Sequence, residues 1–160
     1  MNHLRSIFDE LGFDVTTAKL PEGGMVYALA RTYNLVMQKL GPTYRRVGLS
    51  PAGFNLLLLL KRGKDPDSFT QRLIGQRLVV SPSDMSGLID RMEKRGLVRR
   101  APGKDRRSNL LQITSKGSVL VEQIWPHHAE AIEQMTRGID PADAKALLRV
   151  LAHLRESMGV

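Results

Sequence analysis

The sequence predicts a mainly α-helical fold with one small β-hairpin, on three observations. Apolar residues recur at three- and four-residue spacing through most of the chain. A capping residue followed by proline marks helix starts at Ser50-Pro51, Ser81-Pro82 and Asp140-Pro141. The period changes at Leu97, where LVRRAP and SNLLQIT read as short strands around the polar turn Gly103-Lys104-Asp105-Arg106-Arg107.

Taken in order, Leu4, Ile7, Phe8 and Leu11 mark a short amphipathic helix ended by Gly12. Asp14 to Gly24, with Pro21 and paired glycines, reads as a connector. A long helix is expected from about Met25 to Arg46, its face set by Met25, Leu29, Tyr33 or Thr32, Val36, Leu40, Tyr44 and Val47. Gly41-Pro42 should bend it, because proline removes a backbone donor, and Gly48 should stop it. The next helix runs from Ser50-Pro51 through FNLLLLLKR to Gly63 and, apolar on nearly every face, belongs at the centre. After the polar link KDPDS, Thr70 opens a short helix with Leu73, Ile74 and Leu78 inward. Glycine costs a helix about 1 kcal/mol, so Gly75 within it is expected to mark close packing. In the following helix Met85, Leu88, Ile89 and Met92 keep the helical period, and Gly96 ends it. After the hairpin, a helix from Thr114-Ser115 to about Arg137 places Leu120, Ile124, His128, Ala131 and Met135 on one face. The last helix carries Ala144, Leu147, Leu148, Leu151, Leu154 and Met158.

At 160 residues the chain suits one compact domain, or two small lobes with a shared core. It contains no cysteine, which excludes disulfides, thiolate metal sites and thiol redox sensing. The longest apolar run, Leu56 to Leu60, is too short for a membrane span. The segment MNHLRSIFDELGF lacks the character of a signal peptide, so a cytoplasmic location and no membrane partner are expected. The formal net charge is +8, which points to a polyanionic partner. Between Arg91 and Arg107 eight basic residues face two acidic ones, a net +6 in one short segment. Taken alone, such a run reads more readily as a solvated face.

Its position argues otherwise. Two short helices joined at Val79-Val80 and followed at once by a basic hairpin form a helix-turn-helix with a wing. A helix fits the DNA major groove, and a hairpin beside it reaches the backbone or the adjacent minor groove. With the Met85, Leu88, Ile89 and Met92 stripe inside, the outer face carries Ser83, Ser86, Gly87, Asp90 and Lys94, with Arg91 at its edge, and the capping Ser81 joins them as a DNA-binding candidate. Small residues near the helix start permit close approach, hydroxyls bond base edges, and Arg91, Lys94 and Arg95 can take phosphates. Asp90 is read as the partner of a neighbouring arginine, with a contact to a cytosine amino group as the alternative.

The stretch TQRLIGQRLVVSPSDMSGLIDRMEKRGLVRRAPGKDRRSNLLQITSKG resembles the MarR family of bacterial transcriptional regulators, through the helix-turn-helix, the Asp-Arg-Arg wing and the leucine-rich strand that follows. The likeness extends loosely over residues 25 to 157. It implies three regions: N-terminal dimerisation helices over 1–48, a winged helix-turn-helix domain over 49–114, and C-terminal dimerisation helices over 115–160. It further implies a homodimer on a pseudo-palindromic double-stranded DNA site, most often as a repressor. Arg107 is similar to the wing arginine that enters the minor groove, Asp105 to the acid that orients it, and Arg106 would sit on phosphate. Val79 stands where the family often has glycine. Many members release DNA on binding a small aromatic or phenolic acid in a cleft between the dimer helices and the winged domain. Tyr27, Arg31, Tyr44 and Trp125 are the cleft residues this implies here, though core and interface roles account for them equally.

His127-His128 beside Glu122 and Glu130 does not make metal-ligand spacing, because adjacent helical residues point about 100° apart. No phosphate loop, carboxylate pair or catalytic triad order stands out, so neither enzyme activity nor a cofactor or metal is expected. Two other readings remain at this point: a sequence-indifferent architectural DNA-binding protein, and a winged-helix protein-interaction module.

Overall fold

A computed structural model describes residues 9, 10, 12, 21–64, 69–78, 82–103 and 109–159. In order they form α1 (Pro21–Arg45), α2 (Pro51–Arg62), α3 (Gln71–Arg77), α4 (Pro82–Lys94), β1 (Val98–Pro102), β2 (Asn109–Ile113), α5 (Ser115–Thr136) and α6 (Pro141–Ser157). The chain divides between Trp125 and Pro126 into two compact units. The expected helix around Leu4 to Leu11 lies outside the described residues, apart from the helical pair Asp9-Glu10.

The core of the first unit is built on α2. Ser50 caps it, its hydroxyl accepting from the Gly53 amide at 3.1 Å, and Pro51 occupies the first turn, where a missing donor costs nothing. Phe54, Leu56, Leu57 and Leu60 are buried, as the all-round apolar pattern predicts. Thr70 caps α3 by accepting from the Leu73 amide at 3.2 Å. Ile74 is buried, whereas Leu73 and Leu78 are only half-buried. On α4 the stripe of Met85, Leu88, Ile89 and Met92 is buried throughout.

Two of the glycines with positive φ end helices of the first unit. Gly48 and Gly96 have φ of +68° and +67°. In each case the amide of the following residue reaches back to a carbonyl five positions earlier, Leu49 to Tyr44 and Leu97 to Met92. This six-to-one closure ends α1 and α4, and the left-handed residue within it favours glycine.

β1 and β2 pair antiparallel, Val98 opposite Ile113 and Pro102 opposite Asn109. The sequence reading missed a third participant. Phe69, buried at the end of the polar link, accepts a hydrogen bond from the Leu111 amide at 2.8 Å, and Thr70 bridges Leu110. The hairpin is thereby tied to the start of the helix-turn-helix, completing a winged helix-turn-helix.

Three expectations are corrected. α1 begins at Pro21, four residues before Met25, and runs through both Gly23-Gly24 and Pro42. Its expected inner face is buried only at Leu40 and Tyr44, near its end, while Leu29 and Tyr33 are exposed. Gly75 is not a close-packing site: a side chain there would meet nothing within 4 Å.

The second unit holds the end of α5 and all of α6. Asp140 caps α6 by accepting from the Ala142 amide at 2.6 Å. No residue of α6 is buried, and Leu147, Leu148 and Val150 are exposed. No helix among the described residues is long and apolar enough to cross a membrane.

Candidate nucleic-acid interface

With its apolar stripe inside, α4 turns Ser86, Asp90, Arg91 and Lys94 outward, with Gly87 half-exposed. Ser83 lies in the first turn. The expected contacts Ser81, Arg106 and Arg107, with the orienting Asp105 and the turn residue Val79, lie outside the described residues.

Two outward residues are held by neighbours. The Ser86 hydroxyl accepts from the Gln71 amide of α3 at 2.8 Å, which leaves its own proton to donate. Asp90 pairs with an arginine, as expected, though the partner comes from the hairpin: Arg100 of β1 donates to it at 2.7 Å and also to Glu93. The hydrogen bond to Asp90, then the charge of Glu93, hold the Arg100 guanidinium above its ordinary pKa. By bridging two carboxylates, one from each terminal nitrogen, Arg100 fixes the wing's first strand to the reading helix and offsets part of the acid charge there.

Arg91 folds back over Gly87, its Nη1 3.2 Å from where a Cβ would stand. Arg95 is the correction among the phosphate candidates. Its guanidinium donates to the carbonyls of Gly48 at 2.5 Å and Val47 at 2.8 Å, closing the end of α1 against the end of α4. Sequence reasoning missed this because the partners are backbone atoms nearly fifty residues away.

A separate cavity of about 440 Å³ opens between α2, α3 and Trp125 in the middle of α5. Leu58, Leu59 and Leu78 supply apolar walls, and Arg62, Arg77, Asn55 and Trp125 supply polar or aromatic ones. The Arg62 guanidinium lies 3.6 Å from the Trp125 ring centroid, a cation-π contact. Of the four residues expected to line a cleft, Trp125 is found here. Tyr44 is not open to a ligand: it is 1% exposed and stacked on Phe54 with centroids 4.7 Å apart. Tyr27 and Arg31 are exposed on α1, where Arg31 pairs with Glu10 at 2.9 Å. Arg62 and Arg77 escaped sequence reading because no local pattern links either to Trp125.

Beside the cavity, Lys61 of α2 pairs with Glu122 of α5 and donates to the Ser118 hydroxyl at 2.8 Å. The Lys61 hydrogen bond holds the Glu122 carboxyl below its usual range. Among the described residues no group of three metal-ligating side chains gathers.

A family model described as MarR family matches residues 47–108. The chain is also 31% identical over 125 residues to the HTH-type transcriptional regulator MhqR of Bacillus subtilis (strain 168), covering 77% of this chain and 83% of that relative. The chain belongs to the MarR family. Among solved structures, the transcriptional regulator PA3341 matches this MarR-family chain with a TM-score of 0.72 and 34% identity, over 82% of this chain and 98% of that one. The transcriptional repressor CouR, solved bound to a 23-mer DNA duplex, matches with a TM-score of 0.69 and 30% identity, over 81% and 90%. The MarR-family chain is a DNA-binding transcriptional regulator.

Proposed function

We propose that this MarR-family protein is a cytoplasmic homodimeric repressor that binds a pseudo-palindromic duplex and is released by a small acid. The observation that carries the DNA reading is α4 itself: its apolar stripe is buried, while its polar and basic face points outward beside a basic hairpin. Each protomer lays α4 in a major groove, with Ser83, Ser86 and Gly87 toward the bases and Arg91 and Lys94 toward phosphates. Asp105 orients Arg107 into the minor groove, and Arg106 meets the backbone. The proposed regions are 1–48 and 115–160 for dimerisation and 49–114 for DNA.

Dimerisation is supported by exposed apolar residues on α1, among them Val26, Tyr27 and Tyr33, and separately by Leu147 and Leu148 of α6. Apolar surface of this extent marks an interface. The same role accounts for Tyr27 and Arg31, which do not line the cavity.

The cavity supports the effector reading. Leucines and an indole suit a planar apolar body, and two guanidinium groups suit a carboxylate. Trp125 is the chain's only tryptophan, so its emission reports on occupancy directly.

The test is a titration of selected and random duplexes across salt. A marked preference for the selected sequence is expected, and Arg107→Ala should weaken specific binding by about 1–3 kcal/mol. Equal affinity for all duplexes with a steep salt dependence would overturn sequence-specific reading. Titration with a hydroxybenzoate should shift the Trp125 emission and release the duplex, and loss of that shift is expected in Arg62→Ala.

A further inference from the structure

The reading helix has a different neighbour on each side. Asp90 and Glu93 reach toward β1 and the wing through Arg100. The opposite side, with Leu88, Arg91, Met92 and Arg95, faces the joint between α1 and α2 across a cleft of about 660 Å³. The floor of that cleft is apolar, made by the buried side chains of Leu49, Leu88 and Met92. Its rim carries Arg45, Arg91 and Arg95, and its lining includes no carboxylate.

The three arginines are not equivalent. Arg95 is spent on the Val47 and Gly48 carbonyls. Arg45 and Arg91 are exposed, and among the described residues neither forms an ion pair. Each guanidinium lies over a glycine of its own helix. The Arg45 Nη1 stands 2.9 Å from where a Gly41 Cβ would be, and Arg91 lies similarly over Gly87. Two uncompensated cations therefore flank one cleft, and Arg91 belongs to both this cleft and the outer face of α4.

We propose that this cleft is a second backbone clamp, in which Arg45 from α1 joins Arg91 to hold phosphodiesters of the DNA strand on the side of α4 away from the wing. The inference rests on the DNA-binding reading of α4 and adds a residue outside the helix-turn-helix to it. Charge complementarity selects the polyanion, and continuity with the reading face selects duplex DNA. The groove entered by α4 is then gripped on both edges, by the wing on one and by the α1–α2 joint on the other. Such a contact adds affinity without sequence preference.

The test measures binding of the full chain to a long duplex of arbitrary sequence over a range of salt, with thermal melts of each variant. Arg45→Ala should lower the slope of log affinity against log salt by about one and weaken low-salt binding several-fold, while Arg45→Lys keeps the slope. On a second duplex that carries a selected site, hydroxyl-radical protection should shrink at the flank of each half-site in Arg45→Ala. An unchanged slope and footprint overturn the proposal. A lowered melting temperature with an unchanged slope also overturns it, and assigns Arg45 to the end of the α1 dipole alone. If the wild-type chain itself fails to bind duplex, the DNA reading has failed rather than the clamp.

Discussion

At the scale of single residues, two glycines of the first unit have opposite meanings. A side chain at Gly117, in the first turn of α5, would run into the Leu97 carbonyl and the Ile113 side chain. Overpacking against backbone cannot relax easily, so Gly117→Ala should destabilise the fold by about 1–3 kcal/mol in urea denaturation. Gly75 of α3 faces open space and has no left-handed requirement. Gly75→Ala should therefore stabilise it by about 0.5–1 kcal/mol in the same measurement, through the unfolded chain and helix propensity. Tyr44 gives a pH signature. Burial pushes its hydroxyl up to about 12, above an unfolded value of about 10. Its contribution is complete below pH of about 10 and is lost as pH rises toward about 12, because only the unfolded chain ionises there. Denaturation midpoints should fall across that window, and Tyr44→Phe should flatten that part of the fall.

At the scale of elements, the first unit is held together by long-range polar ties between helices and between helix and strand. Arg95 closes α1 onto α4, Lys61 ties α2 to α5, and Arg100 ties β1 to α4. The Arg100 tie is the functional one. Its side chain is partly exposed, so stability should drop by no more than about 1 kcal/mol in Arg100→Ala. Binding should suffer more, because Asp90 and Glu93 are then uncovered on a face that meets phosphate, and the wing loses its anchor to α4. A loss of roughly tenfold in duplex affinity is expected. Adding Asp90→Asn should recover part of it, since one repelling charge is removed. If the double variant binds no better than Arg100→Ala, charge cancellation is not what Arg100 provides.

At the scale of the whole molecule, the apolar surface is distributed unevenly. The first unit buries its stripes around α2, whereas α6 buries nothing and leaves Leu148 62% exposed. Among the described residues none of this helix is buried, and an apolar face left open in this way suits burial against a second copy of the chain. Sedimentation should show a dimer, and Leu148→Glu should shift it toward monomer. Because each protomer brings one half-site reader, the monomer should bind a two-half-site duplex at least about tenfold more weakly, about 1.4 kcal/mol. A Leu148→Glu chain that remains dimeric would place the interface elsewhere.

What the sequence determined by itself is local. The starts of α2 and α6, the buried stripe of α4 and the two strands follow from caps, proline and periodicity, which act within a few residues and need no partner. The outer face of α4 and its pairing acid were legible for the same reason: burying one stripe of a helix exposes the other. What only the tertiary structure decided are the meetings of distant residues: Phe69 on Leu111, Arg95 on the α1 end, Arg62 on Trp125, and Arg45 beside Arg91 across one cleft. It also decided that Tyr44 belongs to the core and that Gly75 faces open space. A period tells which face of a helix turns inward; which other element it meets there is set by packing of the whole chain.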